Sequence, residues 1–215
     1  MSEGFDTRVI RLVMGLRSAG VTDKAVLAAI ERTPRGAFVP DSFQDQAFDD
    51  RALPIDCGQT ISQPFVVAKM SEALAVDDRC KVLEVGTGSG YQAAVLSRLA
   101  RRVYTIERYR TLLKTAEARF DQLRLTNIVT RLGDGGLGWP EQAPFDRIMV
   151  TAAAPERPER LLGQLKPDGG VLVAPVEAGG KQTLMRFTRQ GEEIGEEALF
   201  DVRFVPLVSG QAKSL

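Results

Sequence analysis

One glycine-rich segment has a spacing that suits ligand binding. Residues 82–92 read VLEVGTGSGYQ, so Gly86, Gly88 and Gly90 follow a short apolar run and precede a helical pattern. Glycine at a strand-to-helix turn lets the backbone approach a ligand closely. Tyr91 stands where a dinucleotide fingerprint has its last glycine, and no Lys-Ser or Lys-Thr pair of a phosphate-binding loop follows. The segment predicts a nucleoside site without a pyrophosphate, with a simple tight connection as the alternative.

Three acidic side chains are expected near that turn. Glu107 ends the next predicted strand, where a carboxylate can accept hydrogen bonds from both ribose hydroxyls; a solvated glutamate is the alternative. Asp134, between two glycines, can accept the amine of an adenine or form an ordinary Asp-Gly turn. Glu84 lies inside a strand, and a buried carboxylate there requires a partner such as an amino group. An amine, a ribose and an adenine are all present in S-adenosylmethionine.

The composition excludes several kinds of catalytic site. The chain has no histidine, which rules out Ser-His-Asp and Cys-His triads and a histidine-ligated zinc. Its two cysteines, Cys57 and Cys80, are not spaced as a redox or metal-binding pair. We therefore expect no metal site, and we expect reduced thiols in a cytoplasmic protein.

Charge and hydrophobicity restrict the partners. The 28 basic and 28 acidic residues of this 215-residue chain give a formal net charge of zero, which disfavours nucleic acid as a partner. Charged residues interrupt the apolar positions of residues 1–17, and no apolar run reaches the length of a membrane span. No membrane partner is expected.

Short apolar runs alternate with helical segments after Lys81, which is typical of βαβ units and a parallel sheet. We predict an α/β fold with a Rossmann-like, doubly wound, mostly parallel sheet of about seven strands and a helical N-terminal extension. The predicted strands are 81–85, 103–107, 128–132, 147–151, 170–176, 183–189 and 199–205, with a turn at Gly191 between the last two. The predicted helices in this part are 92–100, 110–123 and 158–165.

The first eighty residues carry helical patterns separated by loops. Residues 5–16 predict an amphipathic helix that Gly20 stops. Thr22 is predicted to cap a second helix, which ends before Pro34, and a third helix carries residues 66–74.

Longer stretches of the chain resemble the class I S-adenosylmethionine methyltransferases and, among them, the protein-L-isoaspartate (D-aspartate) O-methyltransferase family. The similarity extends from Val21 to Gly210, and its segment GQTISQP at 58–64 is much more specific than the glycine loop. The other matching segments are VLAAIE at 26–31, PR at 34–35, FVP at 38–40, LEVGTGSGYQ at 83–92, GDG at 133–135, APFD at 143–146, TAA at 151–153, QLKP at 164–167 and RFVPLV at 203–208.

This resemblance implies transfer of a methyl group from S-adenosylmethionine to the free α-carboxylate of L-isoaspartyl residues, with D-aspartyl residues as a further candidate. Its partners are isoaspartyl-containing peptides and damaged proteins, because the methyl ester closes to a succinimide whose hydrolysis restores part of the aspartate. The family's catalytic serine falls on Ser62. The implied cofactor contacts are Thr60, Ile61, Glu84, Gly86, Thr87, Gly88, Gly90, Glu107, Asp134 and Gly135, of which Thr60 and Ile61 share the acceptor-facing loop with Ser62.

The expected organisation is a helical extension with the acceptor-site loop at 1–80, a methyltransferase domain at 81–210 and a tail at 211–215, with fraying from Gly210. Three residues depart from the family pattern. Asp56 and Glu177 stand where glycine is usual, and Gly136 replaces a bulkier residue. The two acidic residues put negative charge where an anionic peptide approaches, so substrate affinity is the property we expect them to change.

The implied chemistry suits a chain without histidine. An isoaspartyl α-carboxylate has a pKa of about 3.5, so it is ionised at neutral pH and requires no general base. The enzyme must position and desolvate the reactants, and Ser62 would orient the acceptor through its hydroxyl. The structural alternative is that Thr60 and Ser62 merely cap a helix beginning near Pro64.

Two other functions share these features. One is methylation of an amine or ring nitrogen, although residues 151–155 read TAAAP and not the Asn/Asp-Pro-Pro-Tyr/Phe segment of many such enzymes. The other is a noncatalytic homologue that retains the fold.

Overall fold

The computed structural model describes residues 7–212, so residues 5 and 6 of the first predicted helix and residues 213–215 of the predicted tail lie outside the described part. The helices are α1 (Thr7–Ser18), α2 (Lys24–Glu31), α3 (Pro64–Leu74), α4 (Tyr91–Ser97), α5 (Arg110–Gln122) and α6 (Glu159–Leu162). The strands are β1 (Leu53–Pro54), β2 (Thr60–Ile61), β3 (Lys81–Val85), β4 (Arg102–Glu107), β5 (Ile128–Leu132), β6 (Arg147–Val150), β7 (Asp168–Ala178), β8 (Lys181–Gln190) and β9 (Glu193–Asp201).

A seven-stranded sheet organises the chain in the order β5-β4-β3-β6-β7-β8-β9. Neighbouring strands are parallel from β5 to β7, and β8 pairs antiparallel with both β7 and β9. The strand order reverses at β3, which is the position where ligands bind in open α/β sheets. The predicted fold class is confirmed.

Alternate residues of the central strands supply two hydrophobic cores on opposite faces of the sheet. Val82 belongs to the core that also contains buried residues of α1, α2 and α3, whereas Leu83 and Val85 belong to the core that covers the other face beside α6. This alternation follows from the two-residue repeat of a strand. The N-terminal helices are therefore packed onto the sheet and share its core.

The predicted cap of the second helix is wrong. Asp23, not Thr22, caps α2: its Oδ1 accepts hydrogen bonds from the backbone N–H groups of Ala25 and Val26, at 2.7 and 3.1 Å. Thr22 instead donates its backbone N–H to Glu72, at 2.6 Å.

The last strand is β9, Glu193–Asp201, and not residues 199–205. Its sequence EIGEEALFD is charged and mostly exposed, so an apolar pattern did not mark this edge strand. The turn at Gly191 is present, because Gln190 pairs with Glu193 across it.

The segment after β9 crosses the carboxyl edge of the sheet, so fraying from Gly210 is wrong for residues 210–212. The backbone N–H of Gly210 donates to Asp134 Oδ2 at 2.7 Å, and the backbone N–H of Ala212 donates to the carbonyl of Arg108 at 3.1 Å. None of the helices within residues 7–212 combines the length and the apolar character that a membrane span requires.

Candidate active site

The glycine loop joins β3 to α4 at the strand order's reversal point. Gly86 and Gly90 have φ angles of 98° and 90°, which glycine adopts without strain. A Cβ on Gly86 would lie 2.4 Å from Thr151 Oγ1, and a Cβ on Gly90 would lie 2.8 Å from the Phe120 ring. Glycine is required at both positions by backbone conformation and by space.

An open cleft lies against this loop. Eight of the predicted site residues line it: Thr60, Ile61, Ser62, Gly86, Thr87, Gly88, Glu107 and Gly135. Glu84, Gly90 and Asp134 are not in its lining, although each is next to a residue that is.

Glu107 lines the cleft at the end of β4 and is 5% exposed. Its Oε2 accepts from the Gly88 N–H at 2.8 Å, and its Oε1 accepts from the Arg108 and Tyr109 N–H groups at 2.8 and 3.0 Å. A carboxylate offers about four acceptor sites, so three are used within the protein. By this count one acceptor site is left, which is enough for one ribose hydroxyl rather than the two expected; the contact with the ribose stays a prediction.

Glu84 contacts the glycine loop through two threonines. Thr105 Oγ1 donates to Glu84 Oε2 at 2.5 Å, and the hydroxyls of Thr105 and Thr87 are 2.6 Å apart. Glu84 is fully buried and its Oε1 has no partner among the described residues. Burial raises the pKa of Glu84 to about 8. Direct contact between Glu84 and an amino group stays a prediction.

Asp134 forms the Asp-Gly turn that was the alternative to an adenine contact. Its Oδ1 accepts from the Gly136 N–H at 2.8 Å, while its Oδ2 accepts from Gly210. A Cβ on the neighbouring Gly135 would lie 2.4 Å from Val85 Cγ1, so a side chain has no space there. The turn itself does not exclude an adenine contact, which stays a prediction.

Ser62 comes directly after a small hairpin. The strands β1 and β2 pair antiparallel, with Leu53 opposite Ile61, and the left-handed residue Cys57 (φ 60°) turns the chain between them. Burial, followed by the charges of Asp56 and Glu107, raises the pKa of the Cys57 thiol. The thiol therefore stays protonated at neutral pH.

The alternative role of Ser62 as a helix cap is excluded. The N-cap position of α3 is Gln63, and no side-chain cap bond is made there. Asp50, from the preceding loop, accepts the Phe65 N–H at 2.7 Å and the Gln63 side-chain amide at 3.1 Å. The hydroxyl of Ser62 makes no hydrogen bond to any residue of 7–212, and Ser62 lines the cleft.

The residues that depart from the family pattern lie outside the cleft lining. Asp56 is exposed in the hairpin, and Glu177 is exposed in β7 opposite Gln182. A Cβ on Gly136 would lie 3.2 Å from Asp134 Oδ1, so the glycine keeps that turn unstrained.

Residues 203–208 form a wall of the cleft whose role sequence reasoning missed. Gln182 holds this wall by accepting the Phe204 N–H at 2.6 Å and donating to the Phe204 carbonyl at 3.2 Å. Ala153 donates to the Val205 carbonyl and accepts from the Leu207 N–H, both at 2.8 Å. The only sequence signal was the family-like segment RFVPLV, which has no spacing that indicates chemistry.

The cleft fits S-adenosylmethionine. Its glycines leave no space for side chains where a nucleoside must approach, and a carboxylate with a free acceptor position ends β4. Within residues 7–212, no cluster of three or more His, Cys, Asp or Glu side chains could hold a metal ion.

Comparisons with known proteins agree with this geometry. Residues 7–212 match the family model of protein-L-isoaspartate(D-aspartate) O-methyltransferase. The chain is 68% identical over 210 residues to a protein-L-isoaspartate O-methyltransferase of Maricaulis maris, covering 98% of both chains. It is 62% identical over 203 residues to the enzyme of the same name from a Caulobacter species, covering 94% of this chain and 93% of that one.

Solved structures show the same fold. A protein-L-isoaspartate O-methyltransferase superimposes with a TM-score of 0.84 at 30% identity; the match covers 92% of this chain and spans 65% of that longer one. A Plasmodium falciparum protein described as a protein-L-isoaspartate O-methyltransferase, in complex with S-adenosyl-L-homocysteine, gives a TM-score of 0.81 at 25% identity and covers 92% of this chain and 97% of its own.

The family model matches nearly the whole chain, and the match to a relative of 68% identity covers almost the full length of both chains. The chain belongs to the protein-L-isoaspartate(D-aspartate) O-methyltransferase family, whose members use S-adenosylmethionine to methylate isoaspartyl residues in protein repair.

Proposed function

We propose that Ser62 is the catalytic residue of this methyltransferase and that its hydroxyl donates a hydrogen bond to the α-carboxylate of the isoaspartyl residue. One observation carries this proposal: Ser62 lines the same cleft as the glycine loop, and its hydroxyl has no structural task among the described residues. A polar group left free beside a ligand cleft is available to bind the ligand.

The reaction needs positioning more than proton transfer. S-adenosylmethionine supplies the methyl group from its sulfonium centre. The acceptor carboxylate, with a pKa of about 3.5, is already ionised, so no side chain of the cleft has to remove a proton. Ser62 fixes one carboxylate oxygen, and the walls formed by Ile61 and by residues 203–208 exclude water from it.

We assign the cofactor to the loop side of the cleft. The backbone at Gly86 and Gly88 approaches the nucleoside, and Glu107 accepts a ribose hydroxyl. Asp134 and Gly135 lie at the adenine. Glu84 and Thr87 are linked behind the loop by Thr105, whose hydroxyl donates to Glu84 and is hydrogen-bonded to the Thr87 hydroxyl.

We also assign three further residues to cofactor binding: Gly90 in the turn, and Thr60 and Ile61 in the hairpin. In this arrangement residues 1–80 contribute the acceptor-site loop to the methyltransferase domain at 81–210.

The test is transfer of radiolabelled methyl groups to two synthetic peptides that differ only in one residue, L-isoaspartate or L-aspartate. We expect label in the isoaspartyl peptide alone, and we expect mild alkali to release it because a methyl ester hydrolyses easily. Alkali-stable label would indicate methylation of nitrogen. Binding of S-adenosylmethionine without any transfer would indicate a noncatalytic homologue.

A third peptide with D-aspartate measures the breadth of the acceptor site. We infer that the enzyme acts on isoaspartyl proteins in the cytoplasm, since Cys57 and Cys80 are both free thiols. Measurement of methyl-accepting sites in cytoplasmic and other fractions of a strain lacking the protein tests that location.

A further inference from the structure

The cleft has two cationic side chains in its lining, Arg108 and Arg203. Arg108 is engaged within the protein: its Nε donates to the Gly210 carbonyl at 3.2 Å, and its Nη1 donates to the Tyr109 hydroxyl at 3.0 Å. Arg203 is exposed and makes no hydrogen bond or ion pair with any residue of 7–212. It is therefore the cation at the cleft that is free to bind a ligand.

The backbone next to Arg203 is fixed. Gln182 bonds both the N–H and the carbonyl of Phe204, and the pairing of Ala153 with Val205 and Leu207 continues the attachment. A guanidinium anchored beside such a backbone loses less freedom on binding an anion than one on a loose loop. Arg203 thus begins from a defined position at the cleft.

The substrate carries an anion that must enter this cleft. The α-carboxylate of an isoaspartyl residue branches from the peptide chain and is ionised at neutral pH. The carboxylate of Glu107, which also lines the cleft, already accepts three backbone hydrogen bonds and cannot attract this anion. A guanidinium can bind both oxygens of a carboxylate at once.

We propose that Arg203 is the substrate-binding residue that captures the isoaspartyl α-carboxylate, while Ser62 orients it for transfer. The inference rests on the proposed function, because it takes the acceptor to be that carboxylate. Methylation forms a C–O–CH₃ ester bond as the S–CH₃ bond breaks, and the electron pair of that bond stays on sulfur. The acceptor loses its charge in the same step, so the contact with Arg203 weakens and favours release of the ester.

The test combines one substitution with one change in the peptide. Binding to wild type and to Arg203→Gln is measured for an isoaspartyl peptide and for its α-carboxamide analogue, with the enzyme saturated with S-adenosylhomocysteine. Arg203→Lys retains the charge but not the planar fork. Arg98→Gln removes another exposed arginine, which follows α4 and lies outside the cleft lining, and it serves as the matched control.

We expect Arg203→Gln to weaken binding of the isoaspartyl peptide about tenfold, as for loss of one charge-assisted contact, and to raise its KM while kcat falls much less. The carboxamide analogue should bind wild type and Arg203→Gln equally. Arg203→Lys should recover part of the affinity, and Arg98→Gln should change nothing.

Two results would overturn the inference. One is an equal loss of binding affinity for both peptides in Arg203→Gln, which would mean that the arginine contacts a part of the peptide other than the α-carboxylate. The other is unchanged affinity in a folded variant. In both cases wild-type enzyme still methylates the isoaspartyl peptide, whereas failure of the proposed function would show as no transfer by wild type.

Discussion

The two sides of the cleft are built in different ways. The loop side consists of the glycine loop and Glu107, and the acceptor side consists of Ser62 and residues 203–208. On the loop side, Gly86 and Glu107 each come at the end of a parallel strand, so the sheet itself brings them together. On the acceptor side, Ser62 follows a two-residue strand, and residues 203–208 have no regular structure apart from a single bridge. The acceptor side depends on individual long-range hydrogen bonds, such as those of Gln182 and Asp50.

Substitutions on the two sides should therefore have different effects. Changes on the loop side should alter cofactor affinity, because we assign the nucleoside to the groups there. Changes on the acceptor side divide into those that touch the acceptor and those that only hold the backbone. On the acceptor side, Ser62 is predicted to touch the acceptor, whereas Asp50 is predicted only to hold the backbone.

The largest expected effect is that of Ser62→Ala. Loss of one positioned donor should lower kcat by a factor on the order of 10² to 10³ and leave the Kd of S-adenosylmethionine unchanged. Single-turnover methyl transfer and calorimetry measure the two quantities. Ser42→Ala, at an exposed serine outside the cleft lining, is the matched control and should retain most activity. Near-normal turnover in Ser62→Ala would leave the acceptor side without its catalytic group.

Glu107→Ala, on the loop side, should weaken cofactor binding, which Ser62→Ala should leave unchanged. The substitution removes the proposed acceptor of a ribose hydroxyl and the observed acceptor of three backbone N–H groups, so the Kd of S-adenosylmethionine should rise at least about tenfold. At saturating cofactor the KM for the peptide should be nearly unchanged. A large change in peptide KM with normal cofactor affinity would break the division between the two sides.

Glu84 links stability to pH on the loop side. Its pKa is about 8 in the folded protein and lies well above the ordinary value of 4.5, so between these values the folded state holds a proton that the unfolded state has released. Its contribution to the free energy of unfolding therefore falls as pH rises through this window, by about 1.4 kcal/mol per pH unit, and levels off above pH 8.

Denaturant unfolding of wild type and Glu84→Gln from pH 5 to 9 measures this contribution. The glutamine variant should lack the decline that Glu84 causes, because its amide does not titrate. Parallel curves for the two proteins would show that Glu84 is ionised in the folded state throughout.

The smallest effect is expected from Asp50→Ala on the acceptor side. The substitution removes the bond to the Phe65 N–H at the start of α3, which should cost about 1 kcal/mol of stability, as for other helix caps. Turnover per folded molecule should change little. Thermal unfolding together with turnover distinguishes Asp50 from Ser62; a loss of turnover as large as that of Ser62→Ala would mean that the two residues act together.

The same division explains how much could be predicted from sequence. Strand ends and a glycine turn are local patterns, so β3, the loop and Glu107 were predicted with their positions. The assignment of Ser62 depended on the family resemblance, because a serine two residues before a proline is an ordinary helix-cap pattern. Nothing local indicates that Asp50 replaces it as the cap, since that bond joins residues 15 apart.

The acceptor wall was missed for a related reason. Residues 199–205 look like a strand by their apolar content, yet pairing with β8 ends at Asp201, and the backbone of Phe204 bonds to the Gln182 side chain instead. The charged sequence of β9 conceals a strand because an exposed edge need not be apolar. Contacts with distant parts of the chain therefore decide where the last strand lies and where the wall at 203–208 begins.

The pH dependence of methyl transfer tests most directly the central claim that the cleft positions an acceptor that is already ionised. We predict that the single-turnover rate with isoaspartyl peptide is constant from about pH 6 to 7, because the acceptor has lost its proton near pH 3.5 and the Cys57 thiol keeps its own. A rate that rises about tenfold per pH unit through this range would show that a protein group must lose a proton first, and would contradict the account.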